Sequence, residues 1–392
     1  MSAPSGVSGS APRAVLGRLA DGRGRTAGEL AAETGLARST VVHALNRLVA
    51  AGTVEPGAAG LRGRGRPART WALTARPGPL AVVVAAAHGS LAAVVTSEGD
   101  VLALRDAGPM VVEVDGLRPE PVLAALDEVL AQAGVAPADL SMAVVGVPGQ
   151  SAFGATSAAA APSPSGHLRR FGTWAGRPPA QVLGERLGCA VHTENDANLA
   201  ALGEAVFGAA RGMPTVLHVS LAFGTGSGLV LDGRLHRGRS GLAGEIGHLH
   251  ADDDGRLCHC GAHGCFWQTQ SVPALLEALA EAHGRPFTQP DVARGVDDDD
   301  PDVVRALLGF GHALGRRLAD AIVFLDPHAV VVDGSLGPAS RVVADGVREA
   351  IRRYAPPTMA RGATVLVGAF GEQAYALGAV ALARSEHLFA RR

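Results

Sequence analysis

Three of the four cysteines, Cys258, Cys260 and Cys265, fall within eight residues of one another, and His248 lies ten residues ahead of the first. Thiolates and an imidazole crowded in this way are the donor set of a structural zinc site, in which four protein groups close a tetrahedron. The Cys-x-Cys turn and the glycines Gly261 and Gly264 let a short loop wrap one ion. Disulfides are the other use of close thiols. Pairing Cys258 with Cys260 would close a strained ring, and the N-terminus lacks the charged-then-apolar pattern of an export signal. His250, His259 and His263 compete with His248 for the fourth position, and spacing does not separate them.

A second chemistry is suggested by charge. The chain's 35 basic residues are all Arg, and its net charge of −2 hides an asymmetry. Residues 1–76 hold eleven Arg against four acids, a surplus of seven, which leaves nine net negative charges on the remainder. A small basic head on an acidic body points to a polyanion-binding module joined to something else.

The head has the pattern to use that charge. Val15, Leu16 and Leu19 form the apolar stripe of a first helix. Thr26, with Glu29 three residues on, is a capping box for a second, which Gly35 ends. A third helix has Val41, Leu45 and Leu48 on one face and Arg38, Ser39, Thr40, His43 and Asn46 on the other, with Gly52 as its stop. Helix, tight turn and a helix with a polar face form a helix-turn-helix, whose second helix enters the major groove. Strands at 53–55 and 70–73 then flank a loop holding Arg62, Arg64 and Arg66, spaced by glycines and closed by Pro67. Such a wing suits a narrow minor groove lined with guanidinium groups. A solvated basic loop on a protein-interaction module is the competing use of the same residues.

The expected organisation is a disordered tail at 1–10, a winged helix-turn-helix at 11–75, a linker at 76–79 and a body at 80–392. In the body, apolar runs at 80–86, 92–96, 142–147, 216–219, 229–231, 329–332 and 364–367 alternate with helical stretches such as 121–133 and 303–325. That alternation is an α/β fold with helices on its sheets. No short-period repeat is visible. The acidic run 297–300 precedes Pro301 and reads as the start of a helix and not as a metal site. No apolar run is long enough to span a bilayer, and cysteines grouped as ligands suit a reducing, cytoplasmic compartment.

Several motifs resemble those of one family. GLAGEIGH at 241–248, CHCGAHGC at 258–265, ENDANLAALGE at 194–204, GTGSG at 224–228 and VVDGSLG at 331–337 are similar to motifs of the ROK family (repressor, open reading frame, kinase). The winged helix-turn-helix ahead of them is the mark of that family's transcriptional regulators. The resemblance implies an actin-like (ribonuclease H-like) body of two α/β lobes with a cleft between them. It implies a zinc loop at 248–265 with His248, Cys258, Cys260 and Cys265 as ligands, and sugar-binding positions at Asn195, Asp196, Glu245 and His248.

The chain departs from the family's kinases. Val84, Ala85, Ala86, Ala87 and His88 stand where those enzymes carry Asp-x-Gly-Gly-Thr, and Phe223 replaces a Thr in the second phosphate loop. Asp196 is retained at the kinases' base position, but a base with no phosphate donor transfers nothing. It departs from the sugar site as well. Trp267 stands in place of a sugar-contacting Glu, and Ser163 in place of an Asn. A Trp there either stacks its ring on a changed ligand or fills the cleft. Asn195 and Asp196 have a second use as the cap of the helix that follows them.

The expectation is therefore a DNA-binding regulator, a repressor, that lacks kinase activity. It binds a near-palindromic double-stranded operator as a homodimer or tetramer, with a sugar or sugar derivative as effector and structural Zn²⁺ as cofactor. A regulator using the body for dimerisation alone is the alternative, and a sugar kinase a more remote one.

Overall fold

The structure is a computed structural model that describes residues 10–19, 24–50, 54–57, 69–73, 78–86, 89–113, 115–148, 173–221, 224–258 and 260–386. Two compact units emerge. One takes in residues 1–79 with 96–100 and 380–392; the other takes in 80–95 and 101–379. The sequence boundary at 79/80 thus leaves with the body two short segments that group with the head.

In the head, Glu29 N–H donates to the Thr26 hydroxyl (3.2 Å), and Thr26 N–H donates to the Glu29 carboxylate (2.7 Å). This reciprocal capping box satisfies two otherwise orphaned donors and starts helix α2 (Ala27–Thr34), which Gly35 ends in the left-handed region at φ 67°. Helices α1 (Ser10–Leu19) and α3 (Arg38–Ala50) complete the three. Ser10 is helical, so the helix begins inside the stretch expected to be tail. Val15, Leu16, Leu19, Leu30, Val41, Leu45 and Leu48 form one buried core. Strand β2 (Val54–Pro56) pairs antiparallel with β3 (Thr70–Leu73) and runs one residue past its expected end. A two-residue strand, β1 (Arg25–Thr26), adds to the free edge of β3. Two residues carry no periodicity, so no sequence pattern could announce it. Gly52, the wing with Arg62, Arg64 and Arg66, and residues 1–9 lie outside the described residues.

The body's first sheet comprises β4 (Leu80–Ala86), β5 (Gly89–Val95), β6 (Val101–Asp106), β9 (Met142–Val147) and β10 (Val191–Asn195), in the order β10-β9-β4-β5-β6. A small hairpin of β7 (Val112–Glu113) and β8 (Gly116–Leu117) stands apart. The second sheet comprises β11 (Val216–Ser220), β12 (Gly226–Leu231), β13 (Arg234–Leu235), β14 (Ala329–Val332) and β15 (Thr364–Val367), in the order β15-β14-β11-β12-β13. In each sheet the first three strands run antiparallel and the last two join parallel. The two lobes are one topology used twice. This repeat is too long and too diverged to register as a period in the sequence. β4, β9 and β14 are uniformly buried, which is why each reads as an unbroken apolar run.

The helix Asp196–Val206 touches both sheets. A Cβ on Gly146 of β9 would meet Leu199 at 3.1 Å and the Asp196 Cα at 3.6 Å, while one on Gly228 of β12 would meet the Ala201 Cβ at 2.5 Å. Residues at its first turn are therefore held between the lobes. The acidic run behaves as expected: Asp300 caps the helix Pro301–Leu325 by accepting from Asp302 N (2.9 Å) and Val303 N (3.3 Å).

Candidate functional site

Strand β10 runs directly into the Asp196–Val206 helix, so its last residues face the junction of the lobes. Asn195 is the N-cap, its Oδ1 accepting from Asn198 N at 2.9 Å. The capping role falls to Asn195 and leaves Asp196 on the first turn, where Ala197 N donates to its Oδ1 at 2.8 Å. Beside them Glu194, 1% exposed, accepts from Asn195 N (2.9 Å), Asn198 Nδ2 (3.0 Å) and Arg237 Nε (2.9 Å). This buried ion pair ties β10 to the segment after β13. It was not anticipated, because nothing local pairs residues 43 positions apart.

Glu245 and His248 arrive from the other lobe on a turn that only glycine permits. Gly244 sits at φ 90° with its would-be Cβ 2.6 Å from the Ser227 carbonyl, and a Cβ on Gly247 would lie 2.3 Å from the Thr225 carbonyl. Both glycines let the turn lie flat on β12, and Ser227 Oγ donates to the Gly244 carbonyl at 2.6 Å. Glu245 Oε2 then lies 3.8 Å from His248 Nε2. Burial pushes the Asp196 carboxyl up to about 6. Burial, with the nearby Asp196 charge, pushes Glu245 up to about 7. Two carboxylates whose burial raises their proton affinity, one of them raised further by the other, are groups waiting for hydrogen-bond donors.

His248 faces two ways, with its Nδ1 3.6 Å from Cys258 Sγ. The donor atoms of His248, Cys258, Cys260 and Cys265 all lie within 4.8 Å of one another, and Cys260 Sγ is 3.5 Å from Cys265 Sγ. Tetrahedral zinc with bonds of about 2.0–2.3 Å separates its ligands by roughly 3.5–3.8 Å, so three thiolates and one imidazole fit such an ion. Among the described histidines, His250 pairs with Asp253 at 3.5 Å, and neither it nor His263 is in the cluster. His259 lies outside the described residues. The loop's backbone is closed by Cys258 N to the Ala262 carbonyl (2.7 Å) and Gly261 N to the Cys258 carbonyl (3.0 Å).

Trp267 sits in a single 3-10 turn, Phe266–Gln268, directly after Cys265. Its indole N–H donates to Cys258 Sγ at 3.2 Å. The indole donor is directed at the His/Cys group. On the phosphate side, Val84 is buried within β4, while Ala87, His88, Ser163 and Phe223 lie outside the described residues. Asp333, 3% exposed, accepts from Leu221 N and Ser335 N, each at 2.9 Å, at the carboxyl ends of the parallel strands β11 and β14. The sequence showed VVDGSLG but not that its acid would consume these backbone donors.

The polar face expected on α3 is exposed. Arg38, Ser39, Thr40, His43 and Asn46 are all exposed on α3, opposite buried Val41, Ala44, Leu45 and Leu48. Val42, 40% exposed, stands among them. Ser39, Val42, His43 and Asn46 share one stripe at the i, i+3, i+4, i+7 spacing; an apolar side chain on a polar face carries no polar signal in the sequence.

The sequence profile of the ROK family matches residues 93–386. The chain belongs to the ROK family. A MarR family profile matches residues 5–65, the head of this ROK protein. Among relatives, a xylose repressor of Bacillus spizizenii is 31% identical over 194 residues, half of each chain. A glucokinase of Streptomyces coelicolor is 32% identical over 229 residues, 54% of this chain and 72% of that one. The chain spans half the length of the xylose repressor it matches. A solved ROK family transcriptional regulator, described as a homologue of an E. coli MLC protein, superposes with a TM-score of 0.69 over 97% of this chain and 96% of its own, at 22% identity, a likeness of fold. No described helix is long and apolar enough to cross a membrane.

Proposed function

We propose that this ROK protein is a transcriptional repressor that binds a near-palindromic double-stranded DNA operator as a homodimer or tetramer and is controlled by a sugar or sugar derivative. The observation that carries this is the exposed face of α3, held by a capped helix-turn-helix core. The basic surplus of the head supports it, as do the names of the xylose repressor relative and the solved regulator. Arg38, Ser39, Thr40, His43 and Asn46 read base edges, and Arg62, Arg64 and Arg66 enter the minor groove. Selection of bound DNA from random sequence, with and without a panel of sugars, tests it. A two-fold symmetric site released by one sugar is expected; recovery of no preferred sequence would overturn it.

The effector site is assigned to Asn195, Asp196, Glu245 and His248, with Trp267 at its border. Asp196→Asn separates binding from stability. An acid whose folded pKa of about 6 exceeds its ordinary value of 3.8 favours the fold most when protonated. That contribution is complete below pH 3.8 and lost as pH rises to about 6. The variant is therefore expected to melt at or above wild type at pH 7.5 and to lose that advantage near pH 4. Sugar binding by titration calorimetry should weaken tenfold or more, on the order expected for a hydrogen bond to a charged group, about 1.5–3 kcal/mol. A lower melting point at pH 7.5 would mean that the carboxylate is a structural bond and not a waiting one.

The chain is proposed to lack kinase activity. Val84, Ala85 and Ala86 stand at the first phosphate position, and Asp333 places a negative group on backbone donors where this fold class positions ligands. ATP with a panel of hexoses should yield no sugar phosphate above background; accumulation of product would refute it. The Trp267 bond to Cys258 favours a second reading, in which the body only dimerises. Calorimetric titration showing no heat with any sugar would select it.

A further inference from the structure

We propose that the Trp267 indole is a positioning residue for the metal cluster, giving the Cys258 thiolate a side-chain hydrogen bond, and that it links ion retention to the cleft turn 245–248. The inference rests on the cluster being a zinc site. Three thiolates and a neutral imidazole around a divalent cation leave one net negative charge on the sulfurs. Exposed sulfur sheds that charge to water. Cys258 cannot, being 1% exposed. The indole N–H at 3.2 Å is the side-chain N–H donor that meets its sulfur, beside the Cys260 backbone N–H, whereas Cys260 is partly exposed and is approached by the Ala262 backbone N–H at 3.5 Å. Outer donors of this kind orient ligands and tune their basicity, and their loss typically costs about 10–100-fold in metal affinity.

The same side chain is wedged from the other direction. A Cβ on Gly247 would lie 3.3 Å from the Trp267 Cβ, so the indole's root packs on the turn that carries Glu245 and His248 while its N–H reaches the thiolate. His248 closes the circuit, with one ring nitrogen near Cys258 and the other near Glu245. Any ligand that shifts the turn acts on the metal through two routes, the imidazole and the indole. By linkage, metal loss must then act on the ligand site in the same measure.

The test uses the full chain purified with bound zinc. Transfer of zinc to a chromogenic chelator is expected to be 10–100-fold faster or more complete in Trp267→Phe, with partial restoration in Trp267→His, which returns a ring N–H; Trp71→Phe, in the head, is the control. Cobalt substitution gives a readout that packing alone would not move. Its thiolate-to-metal charge-transfer band should shift to lower energy in Trp267→Phe, since a thiolate with one hydrogen bond fewer is the better donor. Should the variant fail to fold, the wild-type chain loaded with ¹¹³Cd and carrying ¹⁵N-tryptophan answers instead: one indole proton should show coupling to the metal through sulfur. Unchanged release and band position, or no coupled indole, would overturn the proposal. Absence of bound metal in the purified chain would overturn the zinc reading itself and remove the proposal's premise.

Discussion

Stripping zinc by chelation, or replacing Cys260 by Ser, is expected to lower the body's melting temperature by about 8–16 °C and to weaken sugar response and assembly. A ligand present at a thousandfold over its dissociation constant stabilises by about 4 kcal/mol, and in domains of 150–250 residues each kcal/mol moves the midpoint by about 2–4 °C. Ala251 N to the Gly264 carbonyl (2.8 Å) and Phe266 N to the Leu249 carbonyl (2.8 Å) pin the loop's base, and an ion would tie the buried Cys258 and Cys265 to His248 and Cys260. The base of the loop is also core: Ile246 and Phe266 belong to the cluster under the second sheet. Loosening the ligands therefore reaches both the core and the Glu245 turn. Unchanged melting and DNA binding after zinc removal confirmed by elemental analysis would sink this prediction.

Much of the frame was legible in the sequence for a physical reason. β4, β9 and β14 end where the apolar runs end, since strands buried in the middle of a sheet admit no polar interruptions. The Thr26–Glu29 box and the Asp300 cap were legible because capping is local, a matter of three residues. β10 was not. Its sequence, VHTEN, is polar because the strand ends in the site. The Glu194–Arg237 pair and the Trp267–Cys258 bond were also hidden, because side-chain partners chosen by tertiary packing leave no spacing to read. The choice of His248 among neighbouring imidazoles depends on Gly247 lying against Thr225, which spacing does not encode. The position of Trp267 in the sequence suits either a stacked ligand or a filled cleft, and the direction of its N–H toward Cys258 is visible only in the folded loop.

Asn46→Ala is expected to weaken binding to the selected operator by about 1–3 kcal/mol, roughly 5–150-fold, and to relax sequence preference at one base pair in each half-site. The amide of an Asn on a recognition helix matches the N6 and N7 of adenine, so that position should be A·T. Val42 shares the stripe four residues earlier on the exposed face, and an exposed apolar group there suits the methyl of thymine. The pairing can be tested one methyl at a time. Replacing each thymine of the operator with uracil removes only that group, worth about 0.8 kcal/mol if buried, near fourfold in affinity. One thymine per half-site should respond in this way, and Val42→Ala should abolish the response at that position alone, because the protein and DNA methyls then have nothing to lose in common. In a dimer the two responsive thymines should fall about one helical turn apart, or a multiple of it, about 34–36 Å per turn. A uracil scan with no responsive position, on DNA that the wild type still selects, would remove Val42 from base reading and leave it as packing for a neighbouring subunit. Equal weakening by Asn46→Ala on all sequences would assign Asn46 to the phosphate backbone, where contacts hold the helix without reading it.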